Sequence, residues 1–406
     1  MVLIKKNYHN IFLILISCTI FTAHPFYLNS FYRFIFFEFF LILFLFYSYN
    51  LTKLFNDVLH KYKFQSILFC FLNISFHLSY FFSPVTIDLR GYEWLRVKYI
   101  STIINVFFFV SLLFYFCSIK INYKKLMLAI IFPGMVYTLY LFILILTKQE
   151  LIYQNLYFFN NIRQVGMLMV VTTGFFLGYL CLHETNVDKK NSILILSIWL
   201  TLTIFLGGRG TFYSIIIMFL SAIIILKLKK QNTKYLLTVC LFSLVLAFAF
   251  NQLISIISST DEMESLLRHR LSGRYEIWEY AINKIMERPF FGYGPNGFGI
   301  IAFNDVNYVN IYAKGVPYNQ PHNFIVQFLF EYGIVGTLLF LSLIGMLAWH
   351  CKKKLFKTRN NNLMFSGLPI IGLTAVGMVD GSFYHPAIVF YLILAFALIT
   401  TESIKT

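Results

Sequence analysis

Charge is scarce in this chain. Only 12% of its 406 residues are Asp, Glu, Lys or Arg, about half the share a soluble domain carries. That excludes an ordinary soluble enzyme and a disordered tail. Acidic residues are the scarcest, 17 against 33 Lys and Arg, for a net charge of +16. Such an excess can point to nucleic acid, but in so apolar a chain it fits basic loops beside a membrane. Cysteine is sparse as well. Five of the six (Cys18, Cys70, Cys117, Cys181 and Cys240) lie in or at the end of apolar runs, and Cys351 just follows one. No disulfide framework follows, and no CxxC or Cys/His cluster suggests a metal. The alternating ten-residue segments of an outer-membrane barrel are missing. So is any internal repeat.

What is abundant is hydrocarbon. Hydrophobic residues make up 59% of the chain, with 48 Phe and 27 Tyr. Apolar runs approaching the ~20 residues that span a bilayer fall at 10–28, 33–49, 64–83, 98–118, 126–146, 165–183, 192–207, 211–227, 235–258, 323–349, 363–380 and 385–401. Glu38 interrupts the second run, and Asn73 and His77 the third. The fold class expected is all-α, a polytopic transmembrane helical bundle of about 12 spans. Residues 1–258 supply nine spans, 259–322 one large loop containing short helices, and 323–406 three more spans. The start, Met1 to Lys6 and then an apolar stretch, imitates a signal peptide. It lacks a small-residue cleavage site, so a retained first helix is expected.

Basic residues orient the bundle. With the N-terminus inside, 20 of the 33 lie on the inner side, which favours both termini in the cytoplasm. A second asymmetry is sharper. Nineteen of those 20 are Lys and the other is Arg359, whereas the outer side holds nine arginines (33, 90, 96, 163, 209, 268, 270, 274 and 288) and only four lysines. Arg presents a planar fork suited to bidentate phosphate contacts, and Lys a hydrated point charge. An Arg-rich outer face suggests an anionic ligand there. The plainer reading is chance combined with interfacial anchoring.

Four motifs stand on that side. Gly207-Gly208-Arg209-Gly210 joins two apolar spans with almost no loop. Glycines let backbone approach a ligand closely, and a charge this near hydrocarbon usually faces a polar cavity. The alternative is a tight turn with a snorkelling arginine. In Leu271-Ser272-Gly273-Arg274-Tyr275-Glu276-Ile277-Trp278, Ser272 or Gly273 caps a helix running to about Glu287. Ile277, Ala281 and Ile285 share one face, so this amphipathic helix is expected to rest on the membrane surface. Arg274 sits in its first turn, where the helix dipole also favours an anion. Gly292-Tyr293-Gly294-Pro295-Asn296-Gly297-Phe298-Gly299 lacks a preceding strand and reads as a structured turn. Pro321-His322-Asn323 opens a long span that carries Gly333-Ile334-Val335-Gly336. A neutral imidazole there can act as a general base near pH 7, although a lone interfacial histidine is often structural. Asn323 can orient it or bind a sugar hydroxyl, and the glycines read as helix-packing positions. Arg163, Arg90 and Tyr384 are weaker candidates, and Glu38 reads as structural. Asp380 and Glu331 read as a structural pairing within the bundle.

From about Asn161 to Tyr384, the chain resembles the bacterial O-antigen ligase and polymerase superfamily of integral membrane glycosyltransferases. The resemblance rests on the Gly-Gly-Arg-Gly turn, the Gly-Arg-x-x-x-Trp helix, the Arg-Pro-Phe-Phe-Gly-Tyr-Gly-Pro run and Pro-His-Asn followed by Gly-x-x-Gly, in that order. It implies an inner-membrane enzyme acting at the periplasmic face on polyprenyl-diphosphate-linked glycans. Arg209 and Arg274 would hold the diphosphate, with Arg163 assisting, and His322 would activate the acceptor hydroxyl for inverting transfer. Asn323, Arg90 and Tyr384 would line the substrate. No metal, nucleotide sugar, other cofactor or nucleic acid is called for. Acceptor, membrane lipid, a flippase and a chain-length regulator are the partners implied. The glycine-rich run looks closer to polymerases; His-Asn before the paired glycines fits ligases, which deliver finished glycan to lipid A–core, equally well. A flippase for the same lipid is the reading from another class.

Overall fold

The computed structural model describes residues 2–18, 27–48, 63–84, 89–146, 162–182, 189–205, 209–228, 233–258, 274–305, 308, 320–358, 361–380 and 385–404. Among them the elements are α1 (Val2–Ser17), α2 (Tyr27–Ser48), α3 (Lys63–Phe81), α4 (Leu89–Ser118), α5 (Tyr123–Leu146), α6 (Ile162–Leu182), α7 (Lys189–Phe205), α8 (Arg209–Leu228), α9 (Lys234–Ser258), α10 (Arg274–Glu287), α11 (Gly297–Asn304), α12 (Phe324–Thr358), α13 (Asn362–Gly377) and α14 (Pro386–Ile404). There is no strand among the described residues. Each expected span overlaps a helix, the first only over residues 10–17, and α10 and α11 are the short helices expected between the ninth and tenth spans. Seven helices are long and apolar enough to cross a membrane among the described residues, and four shorter apolar stretches accompany them. The chain is a multi-pass helical membrane protein.

The centre of the bundle is α6 packed against α13, flanked by α8. In α6, 94% of the apolar window is buried inside the protein. Small residues permit that approach: a Cβ on Gly174 would meet the Pro369 backbone at 2.6 Å. In a bilayer lipid tails are as apolar as leucine, so close backbone packing of this kind, rather than water exclusion, holds helices together. The periphery is the reverse. Phe36, Phe39, Phe40 and Leu43 of α2, and Leu220 and Ile224 of α8, point outward and exposed, as lipid-facing side chains should.

The expected span 323–349 is not one helix. Gly333, at φ 64°, ψ −171°, breaks α12 into a short first segment and a long second one. A break at this point frees the carbonyls of Phe330 and Glu331 and the amides of Ile334 and Val335, which an unbroken helix would pair with each other. The segment 289–294 takes all four. Tyr293 N–H donates to the Phe330 carbonyl (2.9 Å) and Gly294 N–H to the Glu331 carbonyl (2.9 Å). In return, Ile334 N–H donates to the Pro289 carbonyl (2.7 Å) and Val335 N–H to the Phe290 carbonyl (3.3 Å). Unpaired backbone groups at membrane depth cost several kcal/mol each, so the break and the docked segment depend on each other. The glycine-rich run is the structured turn expected of it. Gly333, read as a packing position, is also the hinge of this exchange.

The docked turn carries α10 and α11 onto the first segment of α12. Ile277, Ala281 and Ile285 do share a face, but that face is buried against a cluster that includes Phe298, Tyr308 and Phe330. The expectation that it rests on the membrane surface is therefore corrected: aromatic side chains of the chain itself cover it first.

Gly333→Ala should lower the melting temperature of the purified protein by several degrees, because its Cβ would enter the Phe290 backbone and its φ disfavours any side chain, at roughly 1–3 kcal/mol for the strain alone. Gly345→Ala meets nothing within 4 Å and should leave it unchanged or slightly raised. Equal melting temperatures for the two variants would contradict the hinge.

Candidate active site

At one end of the bundle, His322 sits between Pro321 and the start of α12. It is buried, 6% exposed, and its backbone is left-handed at φ 53°. A non-glycine residue is held there only when its surroundings compel it, and such residues cluster at functional sites. Its Nδ1 lies 3.0 Å from Asp380 Oδ1. A carboxylate accepts, so Nδ1 carries the hydrogen. Asp380, just past the end of α13, is itself fixed, its N–H donating to the Val376 carbonyl at 2.8 Å. The expected pairing of Asp380 with Glu331 is corrected. Asp380 lies level with His322, whereas Glu331 is two turns further along α12 and accepts from Gln327 Nε2 at 3.1 Å.

Asn323 caps α12. Its Oδ1 accepts from the N–H groups of Ile325 (3.0 Å) and Val326 (3.2 Å), two of the donors every helix start leaves unmet. Its Nδ2 donates to the Met378 carbonyl at 3.3 Å. Asn323 thus clamps α12 to the end of α13, just past which Asp380 lies.

Three arginine-bearing segments converge here by their backbones. Arg209 opens α8, and a Cβ on the next residue, Gly210, would meet Val379 at 3.0 Å, one position from Asp380. Arg163 lies in the first turn of α6, where Gly166 packs against Thr211 of α8. The side chains of Arg163 and Arg209 lie outside the described residues, as do Gly207 and Gly208. Arg274 opens α10 and is half-buried. Four residues on, and so on the same face, Trp278 donates from its indole Nε1 to the Pro321 carbonyl at 2.7 Å. That bond ties the second turn of α10 to the residue preceding His322. Arg90 lies in the first turn of α4, with its side chain outside the described residues, as are all of Tyr384 and the caps Ser272 and Gly273.

Charge and burial stiffen the platform that presents Arg274. Tyr280 donates to Asp305 Oδ2 at 2.9 Å; burial, reinforced by that carboxylate, pushes its phenol above the usual range. Lys284 donates to Glu287 at 2.9 Å, and this bond holds the Glu287 carboxyl below the usual range. Several partners were not legible as such. Gln164 Nε2 donates to His385 Nδ1 at 2.9 Å, joining the starts of α6 and α14. Oε1 of Gln320, two residues before His322, is buried and finds no hydrogen bond among the described residues. A lone histidine before Pro386 and a glutamine in a loop carry no periodicity or spacing that would single them out.

Comparison with known proteins bears on the same region. Residues 193–341 match the sequence profile of a family described as O-Antigen ligase. The matched stretch holds Arg209, Arg274, His322 and Asn323 and stops before Asp380. A protein described as a candidate polysaccharide ligase from Rickettsia conorii is 36% identical over 74 residues, and one so described from Rickettsia felis is also 36% identical over 74 residues. Each match covers 18% of this chain and 18% of the relative. The resemblance to the O-antigen polymerase and ligase superfamily is borne out.

Trp278→Phe removes only the indole donor. It should destabilise the protein by about 1 kcal/mol and speed amide exchange at 320–324 while leaving α13 protected. Unchanged exchange at 320–324 would mean that the bond does not position His322.

Proposed function

We propose that this chain is a membrane glycosyltransferase that moves a glycan from a polyprenyl-diphosphate carrier to an acceptor hydroxyl at the periplasmic face of the bacterial inner membrane. The observation that carries the reading is the His322–Asp380 pair at 3.0 Å, in a multi-pass bundle whose matching family is described as O-Antigen ligase. The lysine bias supports both termini in the cytoplasm and the pair on the other side, with 259–322 as the catalytic loop.

The residues can perform the transfer in one displacement. Asp380 holds Nδ1–H, which orients the ring and stabilises the imidazolium as it forms. Nε2 takes the proton of the acceptor hydroxyl as its oxygen attacks the anomeric carbon. The bond from that carbon to the diphosphate oxygen breaks, and the diphosphate leaves with the electron pair. Arg209 and Arg274, assisted by Arg163, stabilise the charge gathering on it. Attack opposite the leaving group inverts the anomeric centre. Arg90 and Tyr384 are assigned to the substrate walls, and Asn323 to positioning.

The acceptor preferred is the next lipid-linked repeat unit, which makes the protein a polymerase; the glycine-rich run supports this. The description of the matching family favours a second reading, a ligase delivering finished glycan to lipid A–core. A deletion strain distinguishes them. One repeat unit on the acceptor identifies a polymerase, and long chains left on the carrier above bare acceptor identify a ligase. A flippase and a chain-length regulator are the partners expected. Transport alone, the remaining reading, makes no glycosidic bond.

His322→Ala and Arg274→Ala should abolish glycan transfer by the purified, folded protein, the first with a lowered melting temperature because the buried Asp380 loses this partner. Asp380→Asn should lower kcat by about 10⁴-fold, the loss seen when a base loses its orienting carboxylate. Long-chain glycan at wild-type levels in the first two would overturn the assignment.

A further inference from the structure

The apolar residues of α10 form two stripes. The first, Ile277, Tyr280, Ala281 and Ile285, is buried in the chain's own aromatic cluster. The second, Tyr275, Ile282 and Met286, follows at i, i+7 and i+11 on the side away from it. These three side chains are 75%, 52% and 72% exposed. The two flanks of the helix differ. Glu279, Asn283 and Glu287, at i, i+4 and i+8, are hydrophilic and exposed. On the opposite flank Arg274 stands one turn from Trp278, which bonds the Pro321 carbonyl. One flank therefore belongs to water and the other to the candidate active site, with the exposed apolar stripe between them.

That stripe continues onto the bundle. Three residues past α10, Phe290 is 66% exposed, and the backbone exchange at the Gly333 break seats it beside Ile334 and Val335. Ile334, Leu338 and Leu341 are exposed at i, i+4 and i+7 on α12, a lipid-facing stripe of a membrane span. On the other side Arg288 donates from Nη1 to the Phe82 carbonyl at 2.9 Å. Phe81 and Phe82 are exposed at the end of α3, another span. Met286 and Ile282 thus prolong the hydrocarbon surface of two spans at the height where those spans end. An apolar strip of this kind facing water is an aggregation liability; continuity with lipid-facing residues selects lipid as what covers it. Arg288, exposed at the same end, suits the layer of lipid phosphates, its stem along the acyl chains and its fork among the headgroups.

We propose that the Tyr275–Ile282–Met286 stripe lies in the boundary between headgroups and acyl chains of the leaflet on the active-site side, with membrane lipid as the partner of this face. The face whose period suggested a membrane-surface helix is the buried one, and the membrane takes the other. α10 is then held from within by the aromatic cluster and from without by the bilayer. The inference does not rest on the glycosyl-transfer reading. Where that reading holds, the contact sets Arg274 at the height of the lipid phosphates, the level at which a lipid-borne diphosphate presents itself.

The test uses full-length protein in nanodiscs of phosphatidylcholine and phosphatidylglycerol, with no glycan present. p-Benzoylphenylalanine replaces Ile282, Met286 or Asn283 in three separate variants, and the products of irradiation are read by intact-protein mass spectrometry and peptide mapping. Ile282 and Asn283 are neighbours in sequence but about 100° apart around the helix, so mere nearness to the disc does not separate them. Phospholipid adducts from the Ile282 and Met286 positions should exceed those from Asn283 about tenfold or more. Equal lipid adducts at all three positions would overturn the inference, as would crosslinks from Ile282 and Met286 to residues 259–273, to residues 309–319 or to a second copy of the chain in place of lipid. Because no glycan is involved, the adducts report on the contact whether or not the protein transfers glycan, and a failure of either reading leaves the other standing.

Discussion

The four backbone hydrogen bonds exchanged at Gly333 govern the rest of this end of the molecule. A helix entering a bilayer keeps its amides and carbonyls to itself, because nothing else there can satisfy them. α12 breaks that rule at one residue, and the segment 289–294 makes good the loss on both sides of the break. The same contact seats α10 and α11 on the aromatic cluster around Phe330. α10 in turn reaches Pro321 through Trp278. A hinge in one helix therefore fixes the position of an arginine 59 residues earlier in sequence relative to a histidine 11 residues before the hinge. Burial against the protein's own aromatics, rather than against lipid, leaves Arg274 on a rigid mount.

Rigidity matters because the chemistry proposed needs little from the protein except position and charge. A diphosphate is already a competent leaving group once its developing charge is met. What a reaction of this kind lacks in water is a base aligned with the hydroxyl and cations aligned with the departing oxygen. The left-handed backbone of His322, its carboxylate partner and the clamp through Asn323 supply the first. In the proposed reading the arginines at the starts of α6, α8 and α10 are assigned the second. All of these lie at element ends, where backbone direction changes and side chains can converge from sequence-distant segments.

The bundle was legible in the sequence because membrane spans announce themselves by length and apolarity alone. The twelve expected runs each overlap a helix, the first only over residues 10–17, and His322, Arg274 and Trp278 emerged from their motifs. What was hidden depends on three-dimensional neighbours. Asp380 looked like a partner for Glu331 because both are acids in apolar surroundings, and nothing in their spacing reveals that they sit at different heights. Gln164 and His385 are far apart in sequence and carry no local signal. The amphipathic face of α10 has the period of a membrane-surface helix, and sequence alone cannot distinguish lipid from the ring of Phe298 as what covers it. Gly333 announced a special position but not whether close packing or a broken backbone demanded it.

The central claim is a single displacement at the anomeric carbon with His322 as the base and no glycosyl–enzyme intermediate. Its most direct test is the anomeric configuration of the bond formed by the purified protein from a synthetic donor of defined α configuration, read from the one-bond C1–H1 coupling in the NMR spectrum of the product. The account predicts a β linkage. An α linkage would require two displacements and a nucleophile on the protein, and would contradict it.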